Sequence, residues 1–204
     1  SPSNSLMGGD TSGRISIMSV FEFYTVLLSF VVSLGVASLL GSIVRLFQEA
    51  DRVRFSLPHA LWAVAIFNLR ITFWLKSWTY RDQFDLRVST ALPPLVLAII
   101  AFFACGLVTP HIPEDGTVDL QEFHARQGRK YQLTAALFMF AAIAQAALMD
   151  GFFTTAGMVT DSVVQFALAA LAIAAALASR SRWLQVVVPT IWVIGGLVYF
   201  PQLM

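Results

Sequence analysis

Residues 23–44 read FYTVLLSFVVSLGVASLLGSIV, 22 consecutive positions without a charge. An α-helix needs roughly 20 apolar residues (range about 17–25) to cross a ~30 Å hydrocarbon core, so this run is the right length for one membrane span. Three further charge-free runs share the property: Val88 to Pro113, Tyr131 to Met149 and Trp183 to Met204. Ser162 to Ser179 lies at the short limit, and Leu57 to Tyr80 is interrupted only by Arg70 and Lys76. The expected fold is therefore all-α, a polytopic membrane protein with a bundle of six transmembrane helices. The spans are expected near 20–46, 57–80, 89–110, 130–150, 160–180 and 183–203. They form one domain over 20–204, behind a flexible polar N-terminal leader over 1–19.

Composition supports this class. Hydrophobic residues make up 57% of the 204 and charged residues only 12%, with a mean hydropathy of +0.73, against about 25% charge in an ordinary soluble domain. Six spans leave no room for a soluble domain. The net charge of +1 gives no basis for nucleic-acid binding. Cys105 is the single cysteine, so no disulfide is expected. The first apolar run is too long for a cleavable signal peptide, and the leader SPSNSLMGGDTSGR has too little apolar surface to fold. Met18 is an alternative start.

Orientation follows Lys and Arg in short loops. One side carries Arg45, Arg52, Arg54, Arg126, Arg129, Lys130, Arg180 and Arg182, and the other Arg14, Arg81, Arg87 and Lys76. Both termini are therefore expected on the non-cytoplasmic side. Ser56 with Pro58 marks a helix start. Asp119 and Glu122 have capping-box spacing, which would begin the fourth helix before the membrane. Pro93, Pro94 and Pro189 are expected to kink their spans. No inverted repeat relates the two halves of the chain.

Ser29, Ser33, Ala37 and Gly41 recur at every fourth position of span 1 and form a ridge of small side chains, with Arg45 at its end. Such a ridge lets a neighbouring backbone approach closely, either within the bundle or from a protein partner or second copy. The alanine-rich runs of spans 4 and 5 suggest close helix contact as well. Trp74, Trp78, Tyr80, Trp183, Tyr199 and Phe200 read as interface anchors in contact with the lipid bilayer.

Arg70 is the anomaly. It follows Leu57 by 13 residues, about 20 Å along a helix. Facing lipid there, it would cost at least roughly 2.5–3.5 kcal/mol. An outer-half polar cluster is expected instead: Arg70 with Gln145 and Gln165, Glu22 or Asp150 as countercharge, and Trp74 stacked one turn on. Such a cluster either fixes helix register or forms an anion or polar-solute site. Lys76, close to the helix end, reaches the interface by snorkelling.

Other chemistry is sparse. No carboxylate lies near the middle of a span, which removes the main residue of a proton relay. His59, His111 and His124 are scattered. His111 with Glu114 and Asp115 lacks paired ligand spacing, so loop solvation is the better reading and no metal or cofactor is expected. His59 sits one turn into span 2, near the interface. MDGFFTTAGMVTD (149–161) lacks the Ala-Arg pair and final aspartate of membrane phosphatidyl-alcohol transferases. A serine nucleophile would have only His59 as base.

Three stretches carry a family resemblance: FYTVLLSFVVSLGVASLLGSIVRLF (23–47), LPHALWA (57–63) followed by Phe73-Trp74, and DGTVDLQEF (115–123). On these the chain resembles a family of small bacterial inner-membrane proteins over about its first two-thirds. The resemblance implies six spans and a bacterial inner membrane, and it brings no activity. A neutral polar residue is expected at position 70 in such proteins, so Arg70 is particular to this chain. The leading functional expectation is a non-enzymatic packing, assembly or accessory subunit of a membrane complex. The alternative is a small oligomeric channel or transporter passing an anion or polar solute by way of Arg70. An enzyme is the least supported class.

Overall fold

A computed structural model of the chain describes residues 20–78, 88–111, 117–150 and 156–199. The leader, Tyr80, Arg81, Arg87, Glu114, Asp115 and Phe200 lie outside these ranges, as do the side chains of Asp150 and Tyr199. Six α-helices occupy the described residues: α1 (Val20–Gln48), α2 (Leu57–Lys76), α3 (Val88–Val108), α4 (Leu120–Asp150), α5 (Ala156–Leu177) and α6 (Arg182–Tyr199). Four segments are long and apolar enough to cross a membrane: Phe21–Gln48, Ala91–Val108, Leu120–Leu148 and Val159–Leu177. In α6, Arg182–Val198 is apolar but shorter, and α2 carries Arg70 and Lys76.

The helix starts follow local chemistry. Pro58 sits in the first turn of α2 behind Ser56, where its missing N–H would have had no intrahelical partner. Asp119 caps α4: its Oδ1 accepts from the Gln121 N–H at 2.8 Å and the Glu122 N–H at 3.1 Å. The reciprocal half of the box is not made, because Glu122 turns to Arg126 instead, at 3.2 Å. Pro93 and Pro94 lie inside α3 and Pro189 inside α6.

Two short strands were not anticipated. β1 (Val53–Arg54) and β2 (Val118–Asp119) pair in parallel, Val53 opposite Val118 and Arg54 opposite Asp119. Arg54 Nη1 reaches Asp119 Oδ2 at 3.4 Å. The ladder joins the α1–α2 loop to the entry of α4, so α2 and α4 leave one level in the same direction.

α2 occupies the centre, packing on α1, α3, α4 and α6, while α4 packs chiefly on α3 and α5. The core joins Trp62, Ala65 and Ile66 of α2 to Cys105 of α3 and Tyr131 of α4. Ala169, Ala172 and Ala175 of α5 join it, with Val188 and Trp192 of α6. The alanines are fully buried at helical spacing, which lets the backbones come close without a polar drive. Outside, Phe23, Phe30, Leu34, Phe47, Leu148, Leu177 and Trp183 are exposed. Apolar exposure spread over the helices in this way suits a protein whose solvent is lipid.

Candidate functional site

Arg70 is wholly buried, with 0% of its surface exposed, and among the described residues the polar cluster expected around it does not assemble. All three of its hydrogen bonds go to main-chain carbonyls. Nη1 donates to Ala98 O of α3 at 2.7 Å, Nη2 to Val31 O of α1, and Nε to Val32 O at a longer 3.4 Å. A helical carbonyl already accepts one N–H but keeps a second lone pair, and the guanidinium uses these. Hydrogen bonds to a charged group contribute about 1.5–3 kcal/mol each, so two good ones would offset the roughly 2.5–3.5 kcal/mol that an Arg at the centre of a membrane span costs. Among the described residues Arg70 forms no ion pair.

Those of its expected partners that are described lie elsewhere. The β1–β2 ladder sets α2 and α4 at one level, and ring pairs His59–Phe123 and Phe73–Phe138 match residues at similar distances along the two helices. Gln145 lies 25 residues after Leu120, against 13 from Leu57 to Arg70, so it stands about 18 Å further along. Gln145 and Gln165 instead sit on α4 and α5, each with Oε1 buried and without a hydrogen-bond partner among the described residues. Trp74 gives its indole N–H to Ser29 Oγ at 3.1 Å. Glu22 is exposed at the start of α1. Lys76 pairs with Asp161 of α5 at 2.8 Å, a link between helices rather than a snorkelling side chain alone.

What admits Arg70 is Gly35. A Cβ there would lie 2.9 Å from Arg70 Nη2 and 3.1 Å from Cζ. Gly35 stands four residues after Val31, whose carbonyl Arg70 uses. The same device recurs two residues away on α2. Asn68 Nδ2 donates to Trp192 O at 3.4 Å, and a Cβ on Gly196, four residues after Trp192, would meet Asn68 Nδ2 at 1.8 Å. In each case the glycine strips the side chain that would cover the carbonyl one turn before it. Arg70 and Asn68 thus fasten α2 to α1, α3 and α6.

His124 is a correction. It is not merely one of three scattered histidines but is buried in the first turns of α4, within a hydrogen-bonded network. Tyr131 donates its O–H to His124 Nδ1, and His124 Nε2 donates to Gln185 Oε1 at 3.0 Å. Gln132 Nε2 donates to the same oxygen at 2.5 Å, and Gln185 Nε2 donates to Ala175 O at 2.6 Å. The chain of bonds assigns the neutral Nε2–H tautomer and ties α4, α5 and α6 together. His59, also buried, stacks edge-on against Phe123 at 5.3 Å. His111 is exposed at the end of α3. Among the described residues no group of three metal-ligating side chains occurs.

The ridge of α1 faces outward. The buried seam of α1 runs through Tyr24, Leu28, Val32, Gly35, Leu39 and Ser42, whereas Ser33, Ala37 and Gly41 are exposed and Ser29 is half-buried. A Cβ on Gly41 would have nothing within 4 Å. The Ser33 hydroxyl donates back to Ser29 O at 2.6 Å, which leaves the ridge smooth. Cavities flank it at both ends. One of about 360 Å³ is lined by Ser38, Ser42, Arg45, Thr109 and His111 beside Ala37 and Gly41. The other, of about 430 Å³, lies between the start of α1 and the end of α2.

These features define a helical membrane protein with a sealed, hydrogen-bonded arginine and an uncovered small-residue face. Comparison with protein-family models, curated proteins and solved structures finds no match to this chain.

Proposed function

We propose that the protein is a non-enzymatic, six-span accessory or assembly subunit of a bacterial inner-membrane complex, and that α1 is its docking helix. Both termini would lie on the non-cytoplasmic side. The observation that carries this reading is the outward turn of Ser33, Ala37 and Gly41. A ridge of small residues is useful only to a backbone that packs on it, and this chain packs the other face of α1 inside its own bundle. Its occupant is a transmembrane helix of a partner or of a second copy. The channel or transporter reading requires a water-accessible Arg70, and the complete burial of that side chain weighs against it.

The test is native mass spectrometry after extraction of the full chain in mild detergent, with Gly41→Leu alongside. A partner or second copy at fixed stoichiometry, lost in Gly41→Leu at unchanged melting temperature, supports docking through α1. A monomer from native membranes, or an assembly indifferent to Gly41→Leu, removes it.

A further inference from the structure

The 360 Å³ cavity lies where the second half of α1 passes the end of α3. Its wall joins Ser38, Ser42 and Arg45 of α1 to Thr109 and His111, beside Ala37 and Gly41. Its volume falls within the roughly 300–1,000 Å³ of small-molecule sites, but hydroxyls and a guanidinium line it where such sites are mostly apolar. No carboxylate stands on this wall.

Ser42 behaves unlike the other hydroxyls of the bundle. Serine and threonine inside a helix commonly bond the carbonyl one turn back. Ser33, Thr134 and Thr190 do so, to Ser29 O, Lys130 O and Val186 O at 2.6, 2.9 and 2.7 Å. On the cavity wall itself Thr109 does the same, to Cys105 O at 2.8 Å. Ser42 does not. Only 8% of it is exposed, and its hydroxyl is buried with no partner among the described residues. A buried polar group without a partner is costly, so a donor left open on a cavity wall marks the place of an acceptor atom.

Arg45 stands three residues after Ser42 and Ser38 four before it, so the three side chains share one face of α1. Arg45 is exposed and forms no ion pair among the described residues. Glu49, the carboxylate one turn further on, is held by Arg52 at 3.2 Å. The row presents hydroxyl, hydroxyl and guanidinium fork. A phosphate group offers three strong acceptor oxygens, enough to meet all of these donors, whereas a planar carboxylate offers two. Arg45 also lies three residues from the end of the apolar segment Phe21–Gln48, the level of a lipid headgroup. Basic pockets between membrane helices receive anionic headgroups in this way.

We propose that this cavity binds a phosphate group through the Arg45 guanidinium and the Ser42 and Ser38 hydroxyls. The site is a cavity of this chain alone and does not rest on docking through α1. The phosphate belongs either to a phospholipid headgroup or to the free ion, and the chemistry recognised is the same.

The test uses the detergent-purified full chain. One arm adds it to inorganic phosphate and follows the phosphorus NMR line width, with sodium chloride of equal ionic strength as control. The other compares retention of phosphatidylglycerol with that of diacylglycerol, which lacks the phosphate, in native mass spectra. Arg45→Gln should weaken binding about 5- to 10-fold and Ser42→Ala about 2- to 10-fold. Ser42→Ala removes an orphaned buried hydroxyl, so its melting temperature without phosphate should not fall. It also keeps the charge count, and so tests the site even where Arg45→Gln alters insertion. Selective retention of phosphatidylglycerol, weakened in the variants, assigns the lipid source. Saturable broadening of inorganic phosphate without that selectivity, weakened in the same variants, assigns the free ion. Neither signal in the wild type, binding unchanged in Ser42→Ala, or a lowered melting temperature in that variant overturns the proposal.

Discussion

A Cβ placed on Gly35 would stand 2.9 Å from Arg70 Nη2, so the smallest residue of α1 and the bulkiest cation of α2 are fitted to each other. The contact leads to a direct comparison. Gly35→Ala should lower stability by about 1–3 kcal/mol, the usual cost of forcing extra atoms into a packed site. Gly41→Ala, with open space around its Cβ, should leave the isolated chain unchanged. Thermal melting in detergent compares them, and equal melting temperatures would remove the fitted pair.

Arg70 should be structural and dry. Arg70→Ala vacates the gap and is expected to cost about 2–5 kcal/mol. Arg70→Lys should recover only part of this, because a point ammonium cannot fork to carbonyls on two helices. Arg70→Cys should resist a water-soluble maleimide in intact membranes, and rapid labelling would reopen a solute pathway.

Gln185 accepts from both His124 and Gln132. Gln185→Leu strands two buried donors, each costing about 1–3 kcal/mol, so a loss of roughly 2–6 kcal/mol is expected in an unfolding titration. A change below 1 kcal/mol would mean that the network does not hold α4 to α6.

Asp119 couples the start of α4 to pH. Its carboxyl is held below the ordinary range, first by the Glu122 N–H and further by the Gln121 N–H and the Arg54 guanidinium, against opposing desolvation. A depressed folded value means stabilisation that is present above the unfolded carboxylate pKa of about 3.9 and lost as pH falls through the folded value. Hydrogen exchange at Gln121 and Glu122 should therefore lose protection, beyond its intrinsic pH trend, as pH drops below about 4. Asp119→Asn should keep the cap and abolish the dependence. An unchanged pH profile in that variant would assign the effect to another group.

Helix positions were legible because charge-free runs of membrane length allow few alternatives, and the capping residue at Asp119 was readable from spacing. The partners of Arg70 were not. Its acceptors are main-chain carbonyls, which every residue carries and no side chain signals, so a search for carboxylates and amides at equal depth pointed to Glu22, Gln145 and Gln165. Gly35 was visible only as one small residue beside a ridge of others. The His124 network did leave a trace. His124, Gly128 and Tyr131 fall on one helical face at i, i+4 and i+7, and a Cβ on Gly128 would lie 3.4 Å from the imidazole and 3.5 Å from the Tyr131 oxygen. The three histidines are far apart in sequence, and scattered spacing hides a network whose further members, Gln132 and Gln185, are neutral amides. The outward turn of the α1 ridge was open from sequence, since both faces of α1 carry small residues.

The two-residue ladder between Val53–Arg54 and Val118–Asp119 also has a bearing on biogenesis. Its first strand is synthesised before α2 and its second only after α3, so the early loop has no strand partner until the helical hairpin between them has been made. Under the proposed six-span topology α2 and α3 both cross the bilayer, and failure of either one to cross would leave the two strands on opposite sides, unable to meet.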